Sequence, residues 1–290
     1  LHHDLGIVTR SATGGFVQHS PSITDVDRRS ALSVCLAATA DRPLGESLAM
    51  LRRIGADRFG VLAATMAGQG WNESLETIRA SGLRPEFIAG GCRAMHDGGG
   101  WERVLSTLER AVDAAAEIGA PTVCFTSGGS GRLSWEEAAD AAVDRFGPLV
   151  EYAQERGVGL ALENTMSIRS AMSFTHSVAD IAALGRRLEV GLMVDLCSAW
   201  QERGLMQTIG DNLDAIRIVQ IGDRHVDATS VPNRRVPGEG SIPLDRMVSE
   251  VGALGYTGLV DLELLGPVID EEGPENAMAR GLEWMRIYVP

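Results

Sequence analysis

From about residue 31 to its end the chain repeats one unit eight times: a short β-branched and apolar run, a turn, then an amphipathic stretch rich in Ala, Leu, Glu and Arg. Apolar runs with no polar alternation belong to strands buried on both faces, as in parallel sheets covered by helices, and parallel neighbours need a crossover, usually a helix, between them. The alternation therefore implies βαβ units and an α/β fold. The runs that read as strands are Leu32–Thr39, Arg58–Ala64, Glu86–Ala89, Thr122–Thr126, Gly159–Glu163, Gly191–Asp195, Arg217–Ile221 and Gly258–Glu263. Helical stretches lie between them, among them "WNESLETIRASG", "SWEEAADAAVDRFGPLVEYAQERG" and "PLDRMVSEVGALG", and several start at Ser or Pro and stop at Gly, as capped helices do.

Four joints, "IGAPTVCF", "RGVGLALE", "LEVGLMVD" and "LGYTGLVDLE", fit one template of helix end, Gly and strand, which argues for a closed repeat rather than two unlike domains. Eight such units take about 250 residues as a (β/α)8 TIM barrel, the expected fold for a single domain over residues 31–290. A doubly wound open sheet is the alternative, but no G-x-G-x-x-G follows the first strand. Residues 1–30 fall outside the pattern as an N-terminal extension that either caps the bottom of the barrel or folds over its mouth. The longest irregular connection, residues 222–241, "GDRHVDATSVPNRRVPGEGS", has the length at which loops in a compact domain tend to be functional.

Charge narrows the partners. A formal net charge of −13 repels phosphate backbones and anionic lipid heads, so neither nucleic acid nor membrane is expected as a partner. No apolar run reaches the ~18–20 residues of a membrane span, and no basic segment followed by an apolar one opens the chain, so a cytoplasmic protein acting on a small molecule is expected. Cys35, Cys92, Cys124 and Cys197 form no CxxC pair and read as reduced thiols.

In a parallel barrel the chemistry sits at the C-terminal ends of the strands. "VGLALENT" stops there on a carboxylate, Glu163, and Asp195, Gln220 and Glu263 fall at the same point of the sixth, seventh and eighth units. Three carboxylates packed in a low-dielectric pocket repel by several kcal/mol unless something positive sits among them. A divalent cation is the expected answer. An oxygen-dominated donor set suits Mn2+ best, with Mg2+ or Co2+ as substitutes, and suits Zn2+ less well. For any one of these residues, an exposed carboxylate or a salt-bridge partner is the plainer explanation; their conjunction at one level of the repeat is what favours a site.

The motifs "ALENT", "MVDLCSAW", "VQIGD", "NRRVPGEG" and "VDLELLG", in this order, resemble the xylose isomerase-like barrel family of sugar isomerases and epimerases, which includes hydroxypyruvate isomerases, ketose 3-epimerases and inosose dehydratases. The resemblance implies one divalent metal bound at Glu163, Asp195, Gln220 and Glu263, with Glu163 and Glu263 also moving a substrate proton, and Arg234 touching substrate. Gln220 stands where many relatives carry His, while hydroxypyruvate isomerase-like members carry Gln there as this chain does. The chain departs from the family at Asp195-Leu196-Cys197-Ser198, where relatives read Asp-x-x-His: Ser198 puts a hydroxyl in place of a substrate-touching imidazole. His225, in the long seventh loop, is a candidate to supply that imidazole from elsewhere, or else a solvated loop residue. His96 and Trp200 are further candidates for the pocket lining. Trp71 and Trp101 are weaker ones, and "TSGGSG" (Thr126–Gly131) lacks the Lys of a phosphate-binding loop.

The expected function is a metal-dependent isomerase or epimerase of a small sugar or α-hydroxycarbonyl compound, working by proton abstraction and a metal-stabilised enediolate. The alternatives are a metal-dependent lyase or dehydratase on a polyol or sugar-derived ketone, favoured by Ser198 and the long loop, and a non-catalytic binding subunit on the same barrel. The zinc-endonuclease branch of the fold uses a His-rich cluster, and six histidines with a charge of −13 do not support it. Relatives commonly assemble as homo-oligomers, and the same is expected here.

Overall fold

The computed structural model describes residues 30–92, residue 95 and residues 100–290. Eight parallel strands close into a barrel in chain order: β1 Ala31–Cys35, β2 Arg58–Leu62, β3 Arg84–Gly90, β4 Thr122–Thr126, β5 Gly159–Glu163, β6 Gly191–Asp195, β7 Ile216–Ile221 and β8 Leu259–Leu262. β8 returns to pair with β1, Ala31 beside Leu259, so the sheet has no edge. The (β/α)8 barrel is thus as expected. The N-terminal extension lies outside the described residues except for Ser30, whose N–H donates to the carbonyl of Pro290.

Several strand limits differ from the expected ones, and at three of them the chain leaves its strand early. Leu36–Thr39 leaves β1 as a 3-10 turn, Ala63–Gln69 leaves β2 as a helix, and β8 ends at Leu262 rather than on Glu263. An apolar composition suits a strand or a buried helix turn alike, and periodicity cannot separate them in runs this short.

Two apolar layers hold the barrel. Strand residues facing outward, such as Val34, Val61, Val123, Leu162, Val194 and Val219, pack under the helices in one large core. The lumen is filled by a smaller set: Cys35, Phe87, Cys124, Ala161, Met193, Ile218 and Leu259. Phe87 plugs the lumen across Gly60, where a Cβ would stand 2.0 Å from the ring, so only glycine fits on β2. Alternation along each strand then points the next inward residue, two positions on, into the layer above this plug. That step carries Ile218 to Gln220, Met193 to Asp195, Ala161 to Glu163 and Leu259 to Asp261.

Candidate active site

Register builds the site. Ser33 on β1 pairs with Asp261 on β8, Asp261 with Gln220 on β7, and Gln220 with Asp195 on β6, so four polar side chains form a continuous row on the inner wall. Glu163 pairs with Met193 on β6, two residues before Asp195, and Glu263 follows β8 directly. Of the expected metal ligands, Asp195 and Gln220 are buried at 1%, Glu263 is mostly buried, and Glu163 is half-buried.

The positive charge among these carboxylates is a guanidinium. Arg234 Nη1 and Nη2 donate to the two oxygens of Asp195 at 3.0 and 2.8 Å, and Nη2 also donates to Glu263 Oε2 at 2.8 Å. The Cys197 N–H and the Ser198 hydroxyl donate to Asp195 as well, so this carboxylate accepts four hydrogen bonds. Among the described residues, no group of three or more His, Cys, Asp and Glu side chains is gathered as a metal shell. Arg234 already bridges two of the expected ligands, and a third, Gln220, offers an amide.

Arg234 arrives on the long loop of residues 222–241, and one buried carboxylate shapes that loop. Asp223 accepts from the backbone N–H groups of Arg224 and Ile242 on Oδ1 and of Gly238 and Gly240 on Oδ2. Its backbone exchanges hydrogen bonds with Arg235, the residue after Arg234, while the Arg234 N–H donates to the Leu265 carbonyl. Arg234 is therefore held from both sides at 4% exposure.

Glu163 is different. Its carboxylate accepts no hydrogen bond from the described residues, and it keeps an accessible face. Burial lifts its pKa well above the usual carboxylate value, Glu263 and Asp195 add to the rise, and Arg234 and Arg169 oppose it. Burial raises Glu263 too, against the guanidinium of Arg234. Raised carboxylates hold a proton more readily, which is what a group that shuttles one near neutral pH requires.

Two residues that sequence reasoning missed belong to this site. Asn164 ties the ends of β5 and β6 together, its amide oxygen accepting from the Asp195 N–H at 2.9 Å and its amide nitrogen donating to the Asp195 carbonyl at 3.1 Å. Asp261, fully buried, accepts from Ser33 Oγ at 2.6 Å and from Gln220 Nε2 at 3.0 Å, and burial pushes its pKa up to about 7 despite those bonds. The signal for Asp261 was its spacing: two positions before Glu263 on a strand, it faces the same side. With Nε2 committed to Asp261, Gln220 Oε1 is left buried with no partner among the described residues. Asp261→Ala would strip the acceptor from two buried donors, and a loss of about 2–4 kcal/mol in urea unfolding is expected, against less than half of that for Ser33→Ala.

A cavity of about 440 Å3 opens beside the row, lined by Cys197, Ser198, Trp200, His176, Met166 and Arg224 among others. Ser198 and Trp200 both line this cavity. His225 is half-buried in the loop and does not line this cavity, and its imidazole makes no hydrogen bond within the described residues. His96 lies outside the described residues. Trp71 stacks under Arg110 at 5.4 Å and Trp101 packs edge-on to Phe146 at 5.3 Å, away from the cavity lining. In "TSGGSG", Gly129 packs against the Ser170 carbonyl, where a Cβ would stand at 2.4 Å, so this glycine serves loop packing. A second cavity, about 510 Å3, lies at the strand starts between residues such as Glu86 and Arg217, at the far end of the barrel. No described helix is long and apolar enough to cross a membrane.

Comparison with known proteins identifies the family of the barrel. A family model described as "Xylose isomerase-like TIM barrel" matches residues 48–288. The fructoselysine 3-epimerase of Shigella flexneri is 26% identical over 193 residues, which span 64% of this chain and 67% of that protein. Among solved structures, protein SMc04130 of Sinorhizobium meliloti superposes with a TM-score of 0.80 at 24% identity, covering 89% of this chain and 98% of the other. The IOLI protein, whose structure holds a zinc atom, superposes with a TM-score of 0.76 at 18% identity over 89% and 98%. At these identities the two structures show the shared fold.

Proposed function

The chain belongs to the xylose isomerase-like TIM barrel family, and from that premise we propose that it is a divalent-metal-dependent isomerase or epimerase of a small sugar or α-hydroxycarbonyl compound. The observation that carries the reading is Glu163: an accessible carboxylate with a raised pKa and no hydrogen-bond partner among the described residues, beside a bridged Asp195–Arg234–Glu263 cluster. Similarity to a fructoselysine 3-epimerase supports the same class.

The residues fit a cation. Gln220 Oε1 is a buried acceptor with no partner among the described residues, its orientation set by Asp261, and Gln220 stands next to Asp195 in the register row. Glu163, Asp195, Gln220 and Glu263 would supply oxygen donors only, which suits Mn2+ or Mg2+. A bound divalent cation supplies Lewis acidity that acidifies a C–H bond between a carbonyl and a hydroxyl carbon. Glu163 takes that proton, and the electron pair of the C–H bond moves to the carbonyl oxygen, leaving an enediolate. Glu263 returns a proton from the other side: to the same carbon for an epimer, or, after transfer between the oxygens, to the former carbonyl carbon for an isomer. Arg234 donates to two of the carboxylates that would hold the cation, Asp195 and Glu263, and its planar guanidinium is also well matched to a substrate oxygen.

The test is solvent exchange. Chelated protein, with and without added Mn2+, is incubated in D2O with D-fructose and related α-hydroxyketones, and the sugars are weighed by mass spectrometry. Deuterium on the carbon beside the carbonyl, only with metal, is the expected result. Turnover without such exchange overturns the reading, and a lighter, unsaturated product assigns the site to a lyase.

A further inference from the structure

Resting on that reading, we propose that the substrate carries an anionic group, a carboxylate or a phosphate, and that Arg224 receives it in the cavity beside the catalytic carboxylates. Arg224 lines the cavity together with Ser198, whose hydroxyl donates to Asp195, so cavity and carboxylate row are contiguous. Its backbone is pinned, since its N–H donates to the buried Asp223 at 2.8 Å. Its guanidinium is not. Within the described residues it meets no carboxylate: Nη1 lies on the thioether sulfur of Met166 at 2.8 Å, and Nη2 reaches the Ala228 carbonyl only at 3.5 Å. A thioether is a weak acceptor and 3.5 Å is the limit of a hydrogen bond, so both contacts yield readily to an anion.

The acid that shares the cavity wall is already engaged elsewhere. Glu202 lines the same space, but its two oxygens accept from the Val178 and Ala179 N–H groups at 2.7 and 3.2 Å, at the start of helix Val178–Leu188. The His176 ring nitrogen Nδ1 is held on the Thr165 carbonyl at 3.1 Å, which makes it a donor. The wall therefore presents a half-buried, uncompensated cation in a protein of net charge −13. Arg169, on the turn before the cavity, is a second cation with no carboxylate partner among the described residues, and it acts through space on both Glu163 and Glu263. A neutral polyol needs neither charge. A guanidinium fork on a partly desolvated wall is matched by a planar carboxylate or by phosphate oxygens.

Three ketoses separate the possibilities: D-fructose, D-fructuronate, which has a carboxylate in place of its terminal hydroxymethyl group, and D-fructose 6-phosphate. Affinities for the Mn2+-loaded protein are measured by calorimetry. At least one anionic ketose is expected to bind about tenfold or more tighter than D-fructose, the size of one charge-assisted pair, and the arm that gains identifies carboxylate or phosphate. Arg224→Gln is expected to erase most of that ratio. The inference is overturned if neither anionic ketose outbinds D-fructose, or if the preference survives in Arg224→Gln. Deuterium uptake in the same samples keeps the two readings apart. Anion-selective binding without uptake upholds this inference against the proton-transfer reading, and uptake from D-fructose without anion preference does the reverse.

Discussion

Replacing Arg234 with alanine is expected to destabilise the metal-free protein by about 3–5 kcal/mol, the usual cost of removing one partner from a buried ion pair and leaving the other uncompensated. Asp195, 1% exposed, loses two of its four hydrogen bonds, and Glu263 loses its one charged donor. The neighbouring Arg235, whose side chain pairs with nothing among the described residues, provides the control: Arg235→Ala should stay within about 0.5 kcal/mol. Urea unfolding checks both. The loss should depend on pH in a defined sense. Glu163 and Glu263 have folded-state pKa values above their unfolded ones, so their contribution favours folding below the unfolded value, about 4.3, and is lost as pH rises through the folded value. Arg234 pulls both values down, so without it the loss deepens; the gap between wild type and variant should widen from about pH 4 upward. Added Mn2+ should narrow the gap at neutral pH, because a cation restores the missing positive charge. An Arg234→Ala protein as stable as wild type without metal would show that the carboxylates do not depend on this guanidinium.

Glu163→Gln is expected to lower the rate of deuterium exchange by about 10²–10⁴-fold, the range of general acid–base catalysis, since an amide cannot take up a proton. Stability should hardly suffer. Glu163 accepts no hydrogen bond from the described residues, and removing a charge that burial already disfavours relieves repulsion from Glu263 and Asp195. The pairing of lost rate with retained or improved metal-free stability separates Glu163 from Asp195, whose loss would cut the Arg234 and Ser198 contacts together. Equal exchange rates in Glu163→Gln and wild type would remove Glu163 from proton transfer, and Glu263 would then be the base to test.

Much of this was legible in the chain. The helix-end, glycine and strand joints announced the barrel, because a parallel strand buried on both faces must be continuously apolar and must be followed by a crossover. The same logic located Glu163, Asp195 and Gln220, since a polar residue closing such a run stands where the sheet opens to the loops. It kept Glu263 inside its strand, whereas β8 stops one residue earlier, and it extended β1 and β2 into Leu36–Thr39 and the start of Ala63–Gln69, which are helical turns of strand-like composition. Asp261 was within reach through the i, i+2 rule, but a charged residue inside "GLVDLE" is easily read as belonging to the motif that ends on Glu263.

The sequence by itself determined the layers and the level of the site, because both follow from side-chain periodicity and burial, which are local. What counters the carboxylates was decided only in three dimensions. The sequence led to the expectation of a cation, whereas the folded chain brings in Arg234, 39 residues from Asp195 and 29 from Glu263, on a loop whose path is set by four backbone hydrogen bonds to the buried Asp223. The hand of Gln220 is likewise tertiary: its Oε1 is left buried with no partner among the described residues because Asp261, itself held by Ser33 from the far end of the chain, takes its Nε2. Barrel closure pairs β8 with β1, and contacts made across that seam appear only once the sheet has closed.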